Sequence, residues 1–183
     1  MRGWISILTI AAITLLGGCE EKKPPPPPKP VAEAWRYAHD IDPMSGKPRY
    51  SACLRSDNAV QLSPPYKPTK GVLCLLRDAR AGSGVVLRLE GDGQIVCDGG
   101  GPCAIAVRFD ERDIEPFKIR PLSDGSTNAV TFPDQVESDV LGIYLGGAHK
   151  ARFELEFYRN GHQVLIFSPQ GLDFSKTGWD GKS

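Results

Sequence analysis

The chain has 183 residues, room for one domain of ordinary size with short appendages. Lys plus Arg and Asp plus Glu each number 22, so the net charge is zero and no strong field draws the chain onto nucleic acid. Apolar residues make up 40%, enough for a packed interior, while 20 Gly and 16 Pro predict many turns and few long helices.

In chain order, Arg2 is the only early charge, and the apolar run Trp4 to Leu16 follows it. At about thirteen residues this run is too short to span a hydrocarbon core of roughly 30 Å, but it suits the apolar part of a signal peptide. The run ends in Leu16-Gly17-Gly18-Cys19, a Leu, two small residues and a Cys. That tetrapeptide resembles the lipobox of bacterial lipoproteins. The resemblance implies that residues 1–18 are a signal peptide and that the Cys19 sulfur receives a diacylglycerol. It further implies cleavage just before Cys19 and, as a rule, acylation of the new amino group. With acyl chains contributing about 0.8 kcal/mol per buried methylene, the expected first partner is a membrane, reached through lipid on Cys19. The competing reading is a Cys buried in an N-terminal transmembrane anchor. Glu20 follows where an Asp would favour the inner membrane in enteric bacteria, so the resemblance favours an outer-membrane lipoprotein facing the periplasm. The inner membrane and the cell surface are the alternatives.

Residues Glu20 to Ala34, EEKKPPPPPKPVAEA, carry six prolines and nothing to bury, so residues 19–34 read as a lipidated Cys and a Pro-rich tether. As polyproline II it would reach roughly 45 Å and stay stiff. Pro24, Pro27 and Lys29 also fit an SH3-ligand spacing, which any proline run offers by chance.

Residues 35–174 read as a β-rich globular domain and 175–183 as a flexible, polar tail. Short apolar or alternating runs predict strands over 49–55, 71–77, 85–90, 94–98, 103–109, 115–120, 127–132, 151–158, 162–168 and 172–174. The plainest hairpin is ARFELEFY-RNG-HQVLIF, in which Phe153, Leu155 and Phe157 share one face and Asn160-Gly161 supplies a positive φ. A second is expected between 85–90 and 94–98, turning at Asp92-Gly93. One helix is predicted, Pro133 to Leu145, with Val136, Val140 and Tyr144 along one face, Leu141 and Leu145 beside them, and Gly146-Gly147 ending it. The expected fold is mainly β, an antiparallel β-sandwich or curved sheet with one packed α-helix, held by disulfides.

Besides Cys19 there are Cys53, Cys74, Cys97 and Cys103, an even number in a chain read as exported, which predicts two disulfides among three possible pairings. Cys97 and Cys103 flank Asp98-Gly99-Gly100-Gly101-Pro102, a reverse-turn sequence able to bring two strand ends within about 5.5 Å between Cα atoms. That pair is favoured, leaving Cys53 with Cys74. A zinc site is disfavoured because the spacing has no C-x2-C knuckle and no His lies near, so no metal or cofactor is expected.

His39, His149 and His162 look surface-placed, none in an HExxH motif, and the chain has no G-x-S-x-G elbow. Asp124 to Asn128 has the oxygen-rich look of a calcium loop without the full ligand series, so a turn is the better reading. Gly82-Ser83-Gly84 and Gly91-Asp92-Gly93 each separate strands rather than opening a helix, so neither forms a nucleotide cradle. Trp35, Tyr37 and Tyr66, at the tether junction and in the rigid Ser63 to Pro68 loop, are the candidate binding surface; the alternative is that Trp35 and Tyr37 cap the core.

Within residues 35–174 the segments WRY, DPMSGK, a cysteine pair ahead of Val107-Arg108-Phe109-Asp110, and the closing FYRNGHQVLIF hairpin resemble small exported domains of Gram-negative envelope proteins. That resemblance implies export and a β-rich fold, and names no reaction. The expectation is a non-enzymatic binding or accessory module for another envelope protein, such as a secretion or conjugation component or an inhibited enzyme. A periplasmic hydrolase acting on cell-wall material, built from two of His39, His149, His162, Asp110 and Asp113, is the alternative. A structural envelope lipoprotein is the third.

Overall fold

In a computed structural model, residues 34–78, 82–97 and 103–179 are described. The segment read as a signal peptide and lipobox, Cys19 and residues 20–33 lie outside the described residues.

The domain is mainly β, as expected: among the described residues there are nine strands in a single antiparallel sheet, with one α-helix. The strands are β1 (Arg36–Ile41), β2 (Pro48–Val60), β3 (Thr69–Asp78), β4 (Gly82–Leu89), β5 (Cys103–Phe109), β6 (Glu115–Pro121), β7 (Ala129–Thr131), β8 (Ala151–Phe157) and β9 (Gly161–Phe167). Their spatial order is β1-β2-β3-β4-β7-β6-β5-β8-β9. Alternation decides which side each residue faces. In β2, Ala52 and Leu54 enter the core, as do Leu73 and Leu75 in β3 and Val85, Leu87 and Leu89 in β4. Phe153, Leu155 and Phe157 of β8 join them, and Phe153 meets Phe167 edge-to-face at 5.5 Å between ring centres.

The sheet curls until β9 lies beside the far half of β2. A break in register between Arg55 and Ala59 bends β2 there. The Ser56 hydroxyl covers the break, accepting from the Gly71 N–H at 2.9 Å and donating to the Asn58 carbonyl at 2.6 Å. Beyond it, side chains take over the role of a backbone ladder. The Asn58 amide donates to the Val164 carbonyl at 2.8 Å and accepts from the Ile166 N–H at 2.8 Å. The Gln163 amide likewise donates to the Gln61 carbonyl at 2.6 Å and accepts from the Gln61 N–H at 2.9 Å. Two carboxamides thereby join the two ends of the sheet.

Helix α1 (Gln135–Gly147) begins two residues later than Pro133 and runs through both glycines expected to stop it. Asp134 caps it by accepting from the Val136 and Glu137 N–H groups at 2.8 and 3.1 Å. Its buried side is Ser138, Leu141, Gly142 and Leu145, rotated from the predicted Val136 face, and Val136 is 70% exposed. The partner explains the rotation. A methyl group on Gly142 would overlap the Trp179 indole, and one on Gly146 would overlap the Phe174 ring. The chain after β9 thus returns over α1 and places Trp179 there, where a free tail was expected.

Three other expectations are corrected. Of the strand expected at 94–98, the described residues 94–97 form no ladder with β4: Ile95 bridges to Phe157, and β4 pairs instead with β3 and β7. Residues 172–174 are not a strand, and Phe174–Lys176 is a short 3-10 turn capped by Asp173. β1, an exposed edge strand, was not predicted at all.

Candidate functional site

The cysteines pair as favoured. Cys53 and Cys74 face each other across β2 and β3 with Cα atoms 4.1 Å apart, and Cys97 and Cys103 stand 5.6 Å apart, all at disulfide-bonding geometry. Cys53 and Cys74 project from the outer face of the sheet, away from the core.

The aromatic candidates are spent inside the fold. Trp35 is 8% exposed and its indole N–H donates to the Pro169 carbonyl at 2.8 Å, so it closes the core rather than presenting a surface. The Tyr37 hydroxyl accepts from the Asp173 N–H at 2.8 Å and donates to the Gly171 carbonyl at 3.3 Å. Tyr66 is half-buried against the core, and its loop is fastened where Ser63 donates through N–H and hydroxyl to the Asn160 side-chain oxygen.

The titratable candidates are dispersed. His39 stacks on Tyr50 at 4.7 Å, and His162 lies 3.7 Å from Glu154 at the opposite edge of the sheet. Asp110 and His149 do meet, but through the backbone: the Asp110 carboxylate accepts from the His149 and Lys150 N–H groups at 3.0 and 2.8 Å. The His149 ring is engaged by the Gln170 side chain. Asp110 itself adopts a φ of 49°, so this acid holds a corner between β5 and the exit of α1.

What the topology does gather is arginine. On the outer face of β1 to β4 lies a groove of about 690 Å³ lined by Arg36, Arg55 and Arg88. Register places them. Arg55 and Arg88 flank Val72 in one cross-strand row, and Arg36 opposes Cys53 in the next. Val72 and the Cys53 side form an apolar floor. Residues 122–128 supply a polar lip, in which Asp124 accepts from the Ser126 hydroxyl and N–H at 2.6 and 2.9 Å. Those Ser126 bonds, the hydroxyl first, hold the Asp124 carboxyl below its usual range. Glu90 is likewise engaged, by Arg55 at 2.5 Å. Arg36 and Arg88 have no ion pair or side-chain hydrogen bond with another described residue.

A second groove of about 470 Å³ lies across β5, β8 and β9 and is acidic, with Glu154, Glu156 and His162 along its wall.

Sequence reasoning missed the arginine groove because positions 36, 55 and 88 share no local spacing. The available signal was strand alternation: with Ala52 and Leu54 inward, Cys53 and Arg55 must face out. Set against protein-family models, curated proteins and solved structures, the chain matches none.

Proposed function

We propose that the protein is a lipid-anchored binding module of the bacterial envelope, held by Cys19 and carried on the Pro-rich tether. It acts without catalysis on another envelope protein. One observation carries the reading: Leu16-Gly17-Gly18-Cys19, which resembles a lipobox, and two cysteine pairs at bonding geometry occur in one chain, and both chemistries belong to exported proteins. The tether supports it, since a stiff spacer serves a domain that must reach a partner away from the bilayer. The arginine groove supports it too, because guanidinium groups on an apolar floor bind a partner and supply no nucleophile or general base.

The test is made in the native host. Intact-mass measurement of the purified protein should show residues 1–18 gone and acyl chains on Cys19, and Cys19→Ser should leave the membrane fraction. Crosslinking in intact cells should recover one specific envelope protein. A chain that keeps Met1 and lacks fatty acid, or wild-type crosslinks with no specific partner, refutes the reading.

A further inference from the structure

We infer that the arginine groove is the docking site for an extended acidic segment of the partner protein. This rests on the binding-module reading above and adds which surface binds and what chemistry it takes.

The charge balance points to an anion. The groove's acids are already engaged, Glu90 by Arg55 and Asp124 by Ser126, while Arg36 and Arg88 keep their guanidinium groups available among the described residues. Bidentate pairing is what a guanidinium fork offers a carboxylate.

The spacing points to an extended peptide. Neighbouring strands lie about 4.8 Å apart and residues rise about 3.4 Å along each. From the register, the stems of the two available arginines, Arg36 and Arg88, stand three strands and two residues apart, about 16 Å. Carboxylates four residues apart share one face of an extended chain and lie about 14 Å apart, a separation the two arginine side chains can meet. The floor of Val72 and the Cys53–Cys74 pair accepts the intervening apolar side chains, and Leu122 closes one side. Glu90 and Asp124 sit at the lip and set polarity, keeping the segment's acids toward Arg36 and Arg88.

The probe is a short capped peptide alternating Glu and Ala, titrated into the mature lipidated protein in nonionic detergent. Its Gln–Ala counterpart and inorganic phosphate are the comparisons. The Glu peptide should bind saturably, more weakly as salt rises from about 0.02 to 0.2 M. The shifted amides should be those of Cys53, Val72 and Arg88. Arg36→Ala with Arg88→Ala should weaken it about tenfold, with an unchanged circular dichroism spectrum. Equal binding of the Gln peptide, phosphate as tight as the peptide, an unaffected double variant, or shifts mapping to another face each overturns the inference. Crosslinking in cells separates the two claims. A partner recovered equally by wild type and the double variant sinks the groove while the module stands, whereas no partner with wild type sinks the module itself.

Discussion

At the scale of single residues, Asp42 does the most local work. It is almost wholly buried in the turn between β1 and β2, accepting from the Met44 and Ser45 N–H groups at 2.7 and 3.2 Å and pairing with Arg49 at 2.5 Å. The Met44 bond above all, then Ser45 and Arg49, hold its carboxyl below the usual carboxylate range. A carboxyl with a depressed folded pKa stabilises fully above its unfolded value near 3.9, and loses that contribution as pH falls through the folded value. Asp42→Asn should therefore lower the melting temperature at pH 7 and flatten its decline between about pH 5 and 2, as scanning calorimetry across that range would show. Equal acid limbs for both proteins would contradict this. In the sequence the DPMSGK segment was read only as part of a resemblance, and neither its turn nor the burial of Asp42 was legible. Arg49 and Asp78, which lie 2.7 Å apart and complete the cluster, reach it only through the β2–β3 pairing.

At the scale of elements, what could be read was whatever alternates. The β8–β9 hairpin followed from Phe153, Leu155 and Phe157. Its turn places Arg159 and Gly161, rather than Asn160, at positive φ, 60° and 62°. β1, RYAHDI, escaped because an exposed edge strand buries almost nothing and so shows no apolar period. The helix was legible, but its orientation was set by a residue some forty positions away, Trp179, to which local periodicity is blind. Gly142→Leu should expel that indole, since side chain and ring claim the same space. The expected result is a red-shifted tryptophan emission and faster proteolysis of the C-terminal residues, with the β-sheet spectrum retained. The carboxamide seam is open to an equally direct test. Asn58→Ala removes two hydrogen bonds to β9 and should cost about 1–2 kcal/mol in urea unfolding. The Ile166 amide should lose its exchange protection first, and Asn58→Asp should restore that protection but only part of the stability, because a carboxylate still accepts from Ile166 but cannot donate to the Val164 carbonyl.

At the scale of the whole molecule, the fold distributes its crosslinks unevenly. Cys53–Cys74 closes a separation of 21 residues and Cys97–Cys103 one of 6, for which loop-entropy estimates give about 3 and 2 kcal/mol. Replacing Cys53 and Cys74 with Ala should thus lower the denaturant midpoint more than replacing Cys97 and Cys103. The reverse order would show that strand pairing already confines β2 and β3 in the unfolded chain. Composition reports only the balance of 22 basic and 22 acidic residues, so it says nothing of where the topology gathers Arg36, Arg55 and Arg88 or Glu154 and Glu156.

The position of Trp35 has a mechanical consequence. Any tension carried along the chain from residues before 34 enters the domain at this indole, hooked to the Pro169 carbonyl, and passes next into Arg36, whose neighbour across the ladder is Cys53. Cys53 is riveted to Cys74, so the load spreads over three strands at the very row where it arrives. A pulling experiment on the N-terminus should meet a stiff clamp that softens when a reducing agent is added, making the redox state of that row the setting of how hard the domain can be tugged before it yields.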